Sequence, residues 1–533
     1  MKQSFMKGAA ILGFATLFCK ILGAIYRVPY QNITGNEGMF VYQQVYPLYS
    51  TLLAMATAGF PVAISKLVSE RVAAGDHQGA KRVFHVSLVI LILIGIIFFS
   101  VLFFSANQLA EWMGNRELLT LPIQSVSFAL LIVPIVAAIR GFFQGQQNMF
   151  PTAISQTIEQ FIRVCTIIFL SWYFIEFGFG IVYAGAGAVF GAVTGAIASV
   201  VFLFAFLYKK GKYKVKEEES NTSPETIQKI IKQVLLLSLP ICLGALVIPL
   251  FSLVDSFTVA NLLTRQFGMD EAITLKGVFD RGQPLIQFAS FFATAISLSI
   301  VPAIAEARAL KNDQEACERA KLAIRMTWLT GLPAAIGLSI IAMPTNVMLF
   351  KDQQGSVALS ILAFTALFLT LNLTSTGILQ GYGKVYLPVI YLFIGVGIKL
   401  IANLIFIPLF DIRGAAMATV ISYGISTFLN FLALRKIGVT LRASGFLKKL
   451  GMAVIWMSMT TFGAMYLSFW ITSGLTLRLS MTLTALFAVM VGFLSFVWAI
   501  FRFQVLTVSD LEKIPKLKKK IAPILHKWRL LRS

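Results

Sequence analysis

The sequence predicts an all-α polytopic membrane protein with about 14 transmembrane helices, and three observations support this fold class. The first is composition: of 533 residues, 57% are hydrophobic and only 13% are charged, whereas a soluble domain usually carries about 25% charged residues. The second is the recurrence, along the whole length, of apolar runs of roughly 18 or more residues, each long enough to cross a bilayer as a helix. The third is an internal duplication.

The duplication is visible as scarce polar residues that recur at a spacing of 236 residues. Gln144 and Gly145 match Gln380 and Gly381, and further matches pair Arg163 with Lys399, Glu70 with Glu306, Asp76 with Asn312 and Gln78 with Gln314. Apolar matches mean little in such a chain, but polar matches at one spacing are informative. We therefore predict two similar halves, with the function between them.

The apolar segments follow one scheme twice. The first half holds six of them, near residues 8–30, 39–66, 83–105, 119–143, 153–175 and 181–208, the second being interrupted at Gly59-Phe60-Pro61. The second half holds six more, near 233–256, 282–304, 323–345, 355–379, 387–409 and 413–434, and two further segments lie near 450–472 and 477–501. The predicted domains are a six-helix bundle (1–208), a polar cytoplasmic linker (209–232), a second six-helix bundle (233–434), two extra helices (435–501) and a basic cytoplasmic tail (502–533).

Loop charges predict the orientation. With the N-terminus in the cytoplasm, about 33 of the 45 Lys and Arg residues fall on the cytoplasmic side and about 7 outside, as the positive-inside rule requires. Both termini are therefore expected inside. Because each half has an even number of segments, the two six-helix repeats are expected to be parallel, related by an axis along the membrane normal.

Composition and motifs exclude several function classes. The net charge of +22 is typical of nucleic-acid binding as well, but its concentration in cytoplasmic loops favours the membrane interpretation, and no nucleic acid is expected as a partner. The four Cys and three His residues are scattered, so neither a disulfide framework nor a metal site is predicted. Walker A, GxSxG and HExxH patterns are absent from the sequence, and we expect no enzyme, no catalytic residue and no cofactor.

Charged residues inside or beside apolar segments are the candidate functional positions, because a charge at mid-bilayer is costly and usually faces a cavity or a partner. Lys20 and Arg27 are seven residues apart and would share a helix face. Lys20 is expected to face a polar cavity, whereas Arg27 could equally extend to the interface.

Other charges have plainer explanations. For Asp255 and the Asp280-Arg281 pair, the residues alone slightly favour interfacial charges at helix ends over an outer vestibule. Glu159 and Arg163 are four apart and predict an ion pair along one helix, structural rather than catalytic. Lys399, at the matching place in the second half, has only Asn403 four residues away and stays unexplained. Three glycines spaced by four in the sixth segment, Gly187, Gly191 and Gly195, predict close helix packing.

Seven stretches carry a family resemblance: CKILGAIYR (19–27), ATAGFPVAISKLVSE (56–70), RGFFQGQ (140–146), PTAISQTIEQFIR (151–163), LVDSFTV (253–259), FDRGQPLI (279–286) and LQGYGK (379–384). Together they resemble the polysaccharide-biosynthesis, stage V sporulation protein B-like branch of the multidrug/oligosaccharidyl-lipid/polysaccharide exporter superfamily. This branch is related to MurJ-type lipid II flippases. The resemblance covers essentially the whole chain.

The resemblance implies a flippase that moves an undecaprenyl-pyrophosphate-linked saccharide to the outer leaflet by alternating access. Flippases of the lipid II type use basic residues of the first and eighth helices in a central cavity, which correspond here to Lys20, Arg27 and Arg281. An acidic residue near the start of the second helix corresponds to Glu37, while Leu52 and Leu53 lie where an Arg would be expected. Further substrate-binding candidates are Asp255, Arg163 and Lys399.

The expected location is the cell membrane, and the expected partners are the lipid-linked saccharide and membrane lipids, with a coupling ion left open. Two other functions stay open as alternatives. A cation-coupled multidrug exporter of the same superfamily would need an acidic cavity, and a membrane glycosyltransferase would need a sizeable loop with paired carboxylates. A scaffold in a cell-envelope assembly is the remaining alternative.

Overall fold

The structure, a computed structural model, describes residues 5–211, 226–289, 291–440 and 444–505. Within these ranges it consists of helices joined by short turns, and no strand occurs. The helices are α1 (Phe5–Ile25), α2 (Arg27–Thr57), α3 (Phe60–Ala73), α4 (His77–Phe104), α5 (Ala106–Trp112), α6 (Arg116–Ser127), α7 (Ala129–Gly145), α8 (Phe150–Glu176), α9 (Ile181–Gly211), α10 (Ile227–Ala245), α11 (Val247–Phe267), α12 (Met269–Asp280), α13 (Gln283–Ala289), α14 (Phe291–Ala309), α15 (Asp313–Ile340), α16 (Ala342–Phe350), α17 (Ser356–Leu362), α18 (Phe364–Gly381), α19 (Tyr386–Lys436), α20 (Ser444–Ile471) and α21 (Leu477–Arg502).

The predicted all-α membrane fold class is confirmed. Eleven helical stretches in the described ranges are long and apolar enough to cross a membrane. Two of them, 63 and 51 residues long, are interrupted by non-helical residues, at Gly35 in α2 and at Phe410 and Asp411 in α19. The number of 14 crossings stays a prediction.

The chain forms two compact units. The first comprises Met1–Pro284 and Leu392–Ala415, and the second comprises Leu285–Tyr391 and Ala416–Ser533. The predicted division into two six-helix bundles and two extra helices stays a prediction. Most of the predicted linker, residues 212–225, and most of the predicted tail, residues 506–533, lie outside the described residues.

Local geometry repeats at the spacing seen in the sequence. Helices α4 and α15 both have 28 residues, and each begins after a capping side chain. The Asp76 carboxylate accepts a hydrogen bond from the Gly79 amide at 2.7 Å, and the Asn312 side-chain oxygen accepts one from the Glu315 amide at 3.0 Å. These polar matches recur because an exposed helix start needs an acceptor for its unpaired amides.

Two matched glycines serve the same packing purpose. A Cβ on Gly145 of α7 would lie 2.6 Å from the Cβ of Val68 of α3, and a Cβ on Gly381 of α18 would lie 2.9 Å from the Cβ of Ile304 of α14. Only glycine allows helices to approach this closely. The turn that follows has positive φ at Gln147 in one half and at Gly383 in the other.

Helix boundaries near the candidate site differ from the prediction in two places. The first segment continues beyond residue 30 through a bend at Tyr26, and the break comes at Gly35, with φ 70°. The seventh segment does not end at Asp255: α10 ends at Ala245, and α11 runs on to Phe267. Residues 257–281, which lie between the seventh and eighth predicted segments, are therefore helical except at Gly268 and Arg281. Some of their polar side chains have partners in the fold, including Asn261, which donates to the backbone oxygen of Trp112, and Lys276, which donates to Asp280.

The core of the first unit contains the middle of α2, with Tyr30, Phe40 and Tyr49 nearly or fully buried. The three glycines of α9 pack against α8 as predicted, and a Cβ on Gly195 would lie 2.6 Å from the backbone oxygen of Glu159. In the second unit, α20 and α21 pack together through residues that include Leu450, Ala453 and Ala499. Close packing of α8 against α9 fixes the part of α8 that carries Glu159 and Arg163.

Candidate functional site

Buried charge is concentrated in the first compact unit. Among the described residues, six charged side chains are buried, four of them basic and two acidic: Arg27, Lys276, Arg281 and Lys399, with Asp255 and Asp280. Ionisable residues within apolar segments are rare because desolvation is costly. Their positive excess makes this unit suited to anions.

Arg27 begins α2 and is only 5% exposed. The guanidinium carbon lies 6.0 Å from the ring centroid of Tyr26 and 5.9 Å from that of Tyr46, within the range of cation–π attraction. The hydroxyls of Tyr26 and Tyr42 are hydrogen-bonded at 2.5 Å. Arg27 thus does not extend to the surface, and tyrosines of α2 surround it.

Three tyrosines form one face of α2, here called the tyrosine face: Tyr42, Tyr46 and Tyr49. Their spacing of four and three residues places them on one side of the helix. The ring centroids are 5.6 Å apart for Tyr42 and Tyr46 and 6.2 Å apart for Tyr46 and Tyr49. The candidate residues predicted from the sequence do not include this face, although its heptad-like spacing is a signal for it.

Lys20 lies in α1, separated from Arg27 by the bend at Tyr26, and its side chain is exposed. The neighbouring Cys19 places α1 against α8, since its thiol donates to the backbone oxygen of Gln156 at 3.4 Å. Glu37, which follows the Gly35 break, is also exposed. The predicted cavity roles of Lys20 and Glu37 stay predictions.

The predicted Glu159–Arg163 ion pair is present, and a third residue joins it. Glu159 Oε1 accepts from Arg163 at 3.0 Å, while its Oε2 accepts from Arg140 of α7 at 2.8 Å. Arg140 also donates to the hydroxyls of Ser155 at 2.9 Å and Ser199 at 3.0 Å. We call Arg140, Glu159 and Arg163 the arginine cluster. Arg140 is not among the candidates predicted from the sequence, because it lies 19 residues before Glu159 and on a different helix.

Asp255 and Lys399 form a buried ion pair with a distance of 2.6 Å between Nζ and Oδ2. Lys399 also donates to the backbone oxygen of Phe251 at 2.9 Å, and Asn403 donates to Asp255 Oδ1 at 3.1 Å. The interpretation of Asp255 as an interfacial charge at a helix end is wrong, because α11 continues and Asp255 is 2% exposed. Lys399, which the sequence left unexplained, pairs with a carboxylate 144 residues away.

A second buried pair lies at the end of α12. Lys276 donates to both carboxylate oxygens of Asp280 at 2.5 Å, one helical turn away. Arg281 follows as the C-cap residue and is 1% exposed. Asp280 and Arg281 are therefore at a helix end, as expected, but buried rather than interfacial. The Lys276–Asp280 spacing of four was present in the sequence and was overlooked.

A cavity of about 450 Å³ lies beside the Asp255–Lys399 pair, and its lining includes Thr258, Asn261, Arg265 and Leu404. The Thr258 hydroxyl accepts from Asn403 at 2.8 Å, which connects this cavity with the buried pair. In the part of the chain that the structure describes, no group of three or more His, Cys, Asp or Glu side chains could hold a metal ion.

Known proteins resemble this chain in both sequence and fold. Residues 5–308 match the family described as polysaccharide biosynthesis protein. The chain is 34% identical to the uncharacterized membrane protein YabM of Bacillus subtilis (strain 168), over 96% of this chain and 94% of the relative. It is 29% identical to the lipid II flippase MurJ of the same organism, over 82% of this chain and 83% of the relative.

Among solved structures, the fold is similar to an inward-facing multidrug resistance MATE family transporter of the MOP superfamily. The TM-score is 0.61 at 17% identity, covering 79% of this chain and 94% of that one. At this identity the similarity concerns the fold alone.

Proposed function

Since the chain belongs to the polysaccharide biosynthesis protein family, we propose that it is a multi-pass membrane flippase. Its substrate would be a saccharide linked to undecaprenyl pyrophosphate, either lipid II or another cell-envelope precursor. The protein would carry the headgroup to the outer leaflet by alternating access, with no catalytic step and no cofactor. The similarity to the lipid II flippase MurJ supports this interpretation.

The observation that carries the proposal is the excess of buried positive charge, four basic residues against two acidic ones in the described part of the chain. A pyrophosphate must leave water to cross a hydrocarbon region about 30 Å thick. Guanidinium and ammonium groups replace the lost hydration with charge-assisted hydrogen bonds, and Arg offers a planar, bidentate match to phosphate. The lipid tail would stay in the bilayer throughout.

Within this proposal Lys20, Arg27 and Arg281 bind the headgroup. Arg27 and Arg281 are buried. Water therefore screens the attraction between their guanidinium groups and a phosphate less than it would at the surface. Asp255 and Lys399 neutralise each other at 2.6 Å and fit a structural or conformational role better than direct substrate binding.

The proposed orientation has both termini in the cytoplasm, because about 33 of the 45 Lys and Arg residues then lie inside. A membrane potential that is negative inside favours outward movement of an anion by about 2.3 kcal/mol per charge per 100 mV. A potential therefore helps the proposed direction of transport, whether or not an ion is coupled to it.

A cation-coupled multidrug exporter shares the fold but fits the site less well. Such a protein would attract cationic drugs with acidic residues, whereas both buried acids here are already paired with lysines. A membrane glycosyltransferase would need free paired carboxylates, and Asp255 and Asp280 are not free. Efflux of cationic dyes would support the multidrug exporter. Formation of a new glycosidic bond would support the glycosyltransferase.

The test is transport of several undecaprenyl-pyrophosphate-linked saccharides in vesicles that contain the purified protein. The changes Lys20→Ala, Arg27→Ala and Arg281→Ala should each slow transport about tenfold or more, because a hydrogen bond to a charged group contributes roughly 1.5–3 kcal/mol. Arg27→Lys should retain part of the rate, since it keeps the charge but loses the bidentate geometry.

The matched control is Lys66→Ala, which removes an exposed cation whose side chain is 58% accessible. It should leave transport unchanged. Gel filtration in detergent shows whether each variant is folded. If all three alanine variants are folded and transport at the wild-type rate, the basic residues do not bind the substrate and the proposed mechanism is wrong.

A further inference from the structure

The arginine cluster carries more positive charge than its own contacts require. Arg140 and Arg163 share the single carboxylate of Glu159, at 2.8 and 3.0 Å, which leaves one positive charge uncompensated within the cluster. The three side chains are 13–14% exposed, so they are largely removed from water but still reachable. An ion pair serving only to hold two helices together would need one arginine.

Two hydrogen-bond donors near this charge have no acceptor among the described residues. The Nε of Arg163 is buried and has no protein partner among the described residues, and the same holds for the hydroxyl of Tyr49. Tyr49 is 1% exposed. Buried donors of this kind cost free energy unless something accepts from them. An acceptor that also carries negative charge would satisfy both the donors and the extra positive charge.

The Tyr49 hydroxyl and the Arg163 Nε are on two helices that pack against each other, α2 and α8. Tyr49 lies in the same hydrophobic cluster as Val164, the residue after Arg163, so this end of the tyrosine face lies beside the arginine cluster. Helix α1 also contacts this part of α8, since the Cys19 thiol donates to the backbone oxygen of Gln156.

We propose that Tyr49, Arg163 and Arg140 form a second oxyanion site, which takes a phosphate of the lipid-linked pyrophosphate. This inference rests on the proposed function and deepens it. The Tyr49 hydroxyl and the Arg163 Nε donate to the phosphate oxygens. Glu159 holds the two guanidiniums in position and limits the net charge, so that the anion is not bound too tightly to leave.

The tyrosine face connects this site with Arg27. Arg27 lies over the ring of Tyr46, and the ring of Tyr46 lies next to that of Tyr49, with 6.2 Å between the ring centroids. Two anion sites along one helix face would divide a crossing of about 30 Å into shorter steps.

The experiment compares binding of farnesyl pyrophosphate and farnesol to the purified protein in detergent, since the two share a tail and differ in the charged headgroup. Tyr49→Phe should weaken binding of farnesyl pyrophosphate about tenfold, as expected for loss of one hydrogen bond to a charged group. Arg163→Gln should weaken it at least as much. Farnesol binding should be unchanged in both variants.

Tyr49→Phe separates a binding role from a structural one. The hydroxyl has no protein partner in the described residues, so its removal should leave the thermal unfolding midpoint unchanged or slightly higher. The matched control is Tyr183→Phe, which changes an exposed tyrosine of α9 in the same way and should not alter binding. Competition with phosphatidylglycerol distinguishes a substrate site from a site for an ordinary anionic lipid.

The results separate the two proposals. If the wild type prefers farnesyl pyrophosphate to farnesol and transports lipid-linked saccharide, but Tyr49→Phe and Arg163→Gln bind as tightly as the wild type, the second site is wrong and the proposed function stands. If the wild type shows no such preference and no transport, both proposals are wrong. Equal competition by phosphatidylglycerol would also overturn the second site.

Discussion

The ion pair between Asp255 and Lys399 offers a sharp test of how buried charge is arranged in this protein. We consider Lys399→Met, Asp255→Asn and the double variant. Lys399→Met removes the ammonium that lies 2.6 Å from the Asp255 carboxylate and leaves the Asn403 amide, at 3.1 Å, as its hydrogen-bond partner among the described residues. Methionine keeps much of the length and apolar character of the lysine stem. The change therefore acts mainly on charge.

The magnitude follows from burial. Both residues are at most 2% exposed, so the loss of one partner strands a charge away from water, which costs about 3–5 kcal/mol. The double variant removes both charges, and the amide introduced by Asp255→Asn could still meet Asn403, so it should recover most of this loss. At about 2 °C per kcal/mol for a large domain, Lys399→Met should lower the thermal midpoint by roughly 6–10 °C.

The assay is thermal unfolding of the four proteins in one detergent, followed by gel filtration, analysed as a double-mutant cycle. The matched control is the Lys66–Glu70 pair, a lysine–carboxylate pair in an exposed position at 3.9 Å, which should contribute at most about 1 kcal/mol. If Lys399→Met lowers the thermal unfolding midpoint no more than the loss of the exposed Lys66–Glu70 pair does, Asp255 and Lys399 do not form a buried ion pair.

The remaining predictions concern the repeat and the orientation. Gly145→Ala and Gly381→Ala should each destabilise the protein by about 1–3 kcal/mol, because their Cβ atoms would lie 2.6 and 2.9 Å from Val68 and Ile304, whereas Gly463→Ala has nothing within 4 Å and should cause no loss. Equal stability of all three variants in a thermal unfolding assay would contradict the close packing. A green fluorescent protein fused after Ser533 should fluoresce in cells, because that protein matures in the cytoplasm, and a dark but intact fusion would reverse the proposed orientation.

Much of the fold was predictable because the bilayer constrains it so strongly. Apolar runs had to become helices, since only internal hydrogen bonds satisfy the backbone in lipid. The matching local features of the two halves were predictable because polar residues are so scarce that their recurrence at one spacing is visible in the sequence. Asp76 and Asn312 match because each caps a helix, and Gly145 and Gly381 match because each allows a close approach.

The predicted helix boundaries were wrong where polar residues interrupt an apolar run. A hydropathy argument ended the seventh segment at Asp255, since an isolated carboxylate is costly in a bilayer. In the fold this carboxylate has a lysine and an asparagine as partners, and α11 continues to Phe267. Hydropathy treats each residue alone, whereas the cost of a buried charge depends on its neighbours.

In the candidate site, too, some features were predictable from the sequence and others only from the tertiary structure. The residues alone predicted a cavity position for Lys20 and the local pair of Glu159 with Arg163, because four residues is about one helical turn. The family resemblance added the prediction that Arg27 and Arg281 bind the substrate. Only the tertiary structure decided that Arg140 joins that pair, that Lys399 meets Asp255 and that tyrosines surround Arg27. The first two contacts join residues on different helices, and the third joins residues of α2 on either side of the Gly35 break. Electrostatic energy depends on distance in space rather than on separation along the chain.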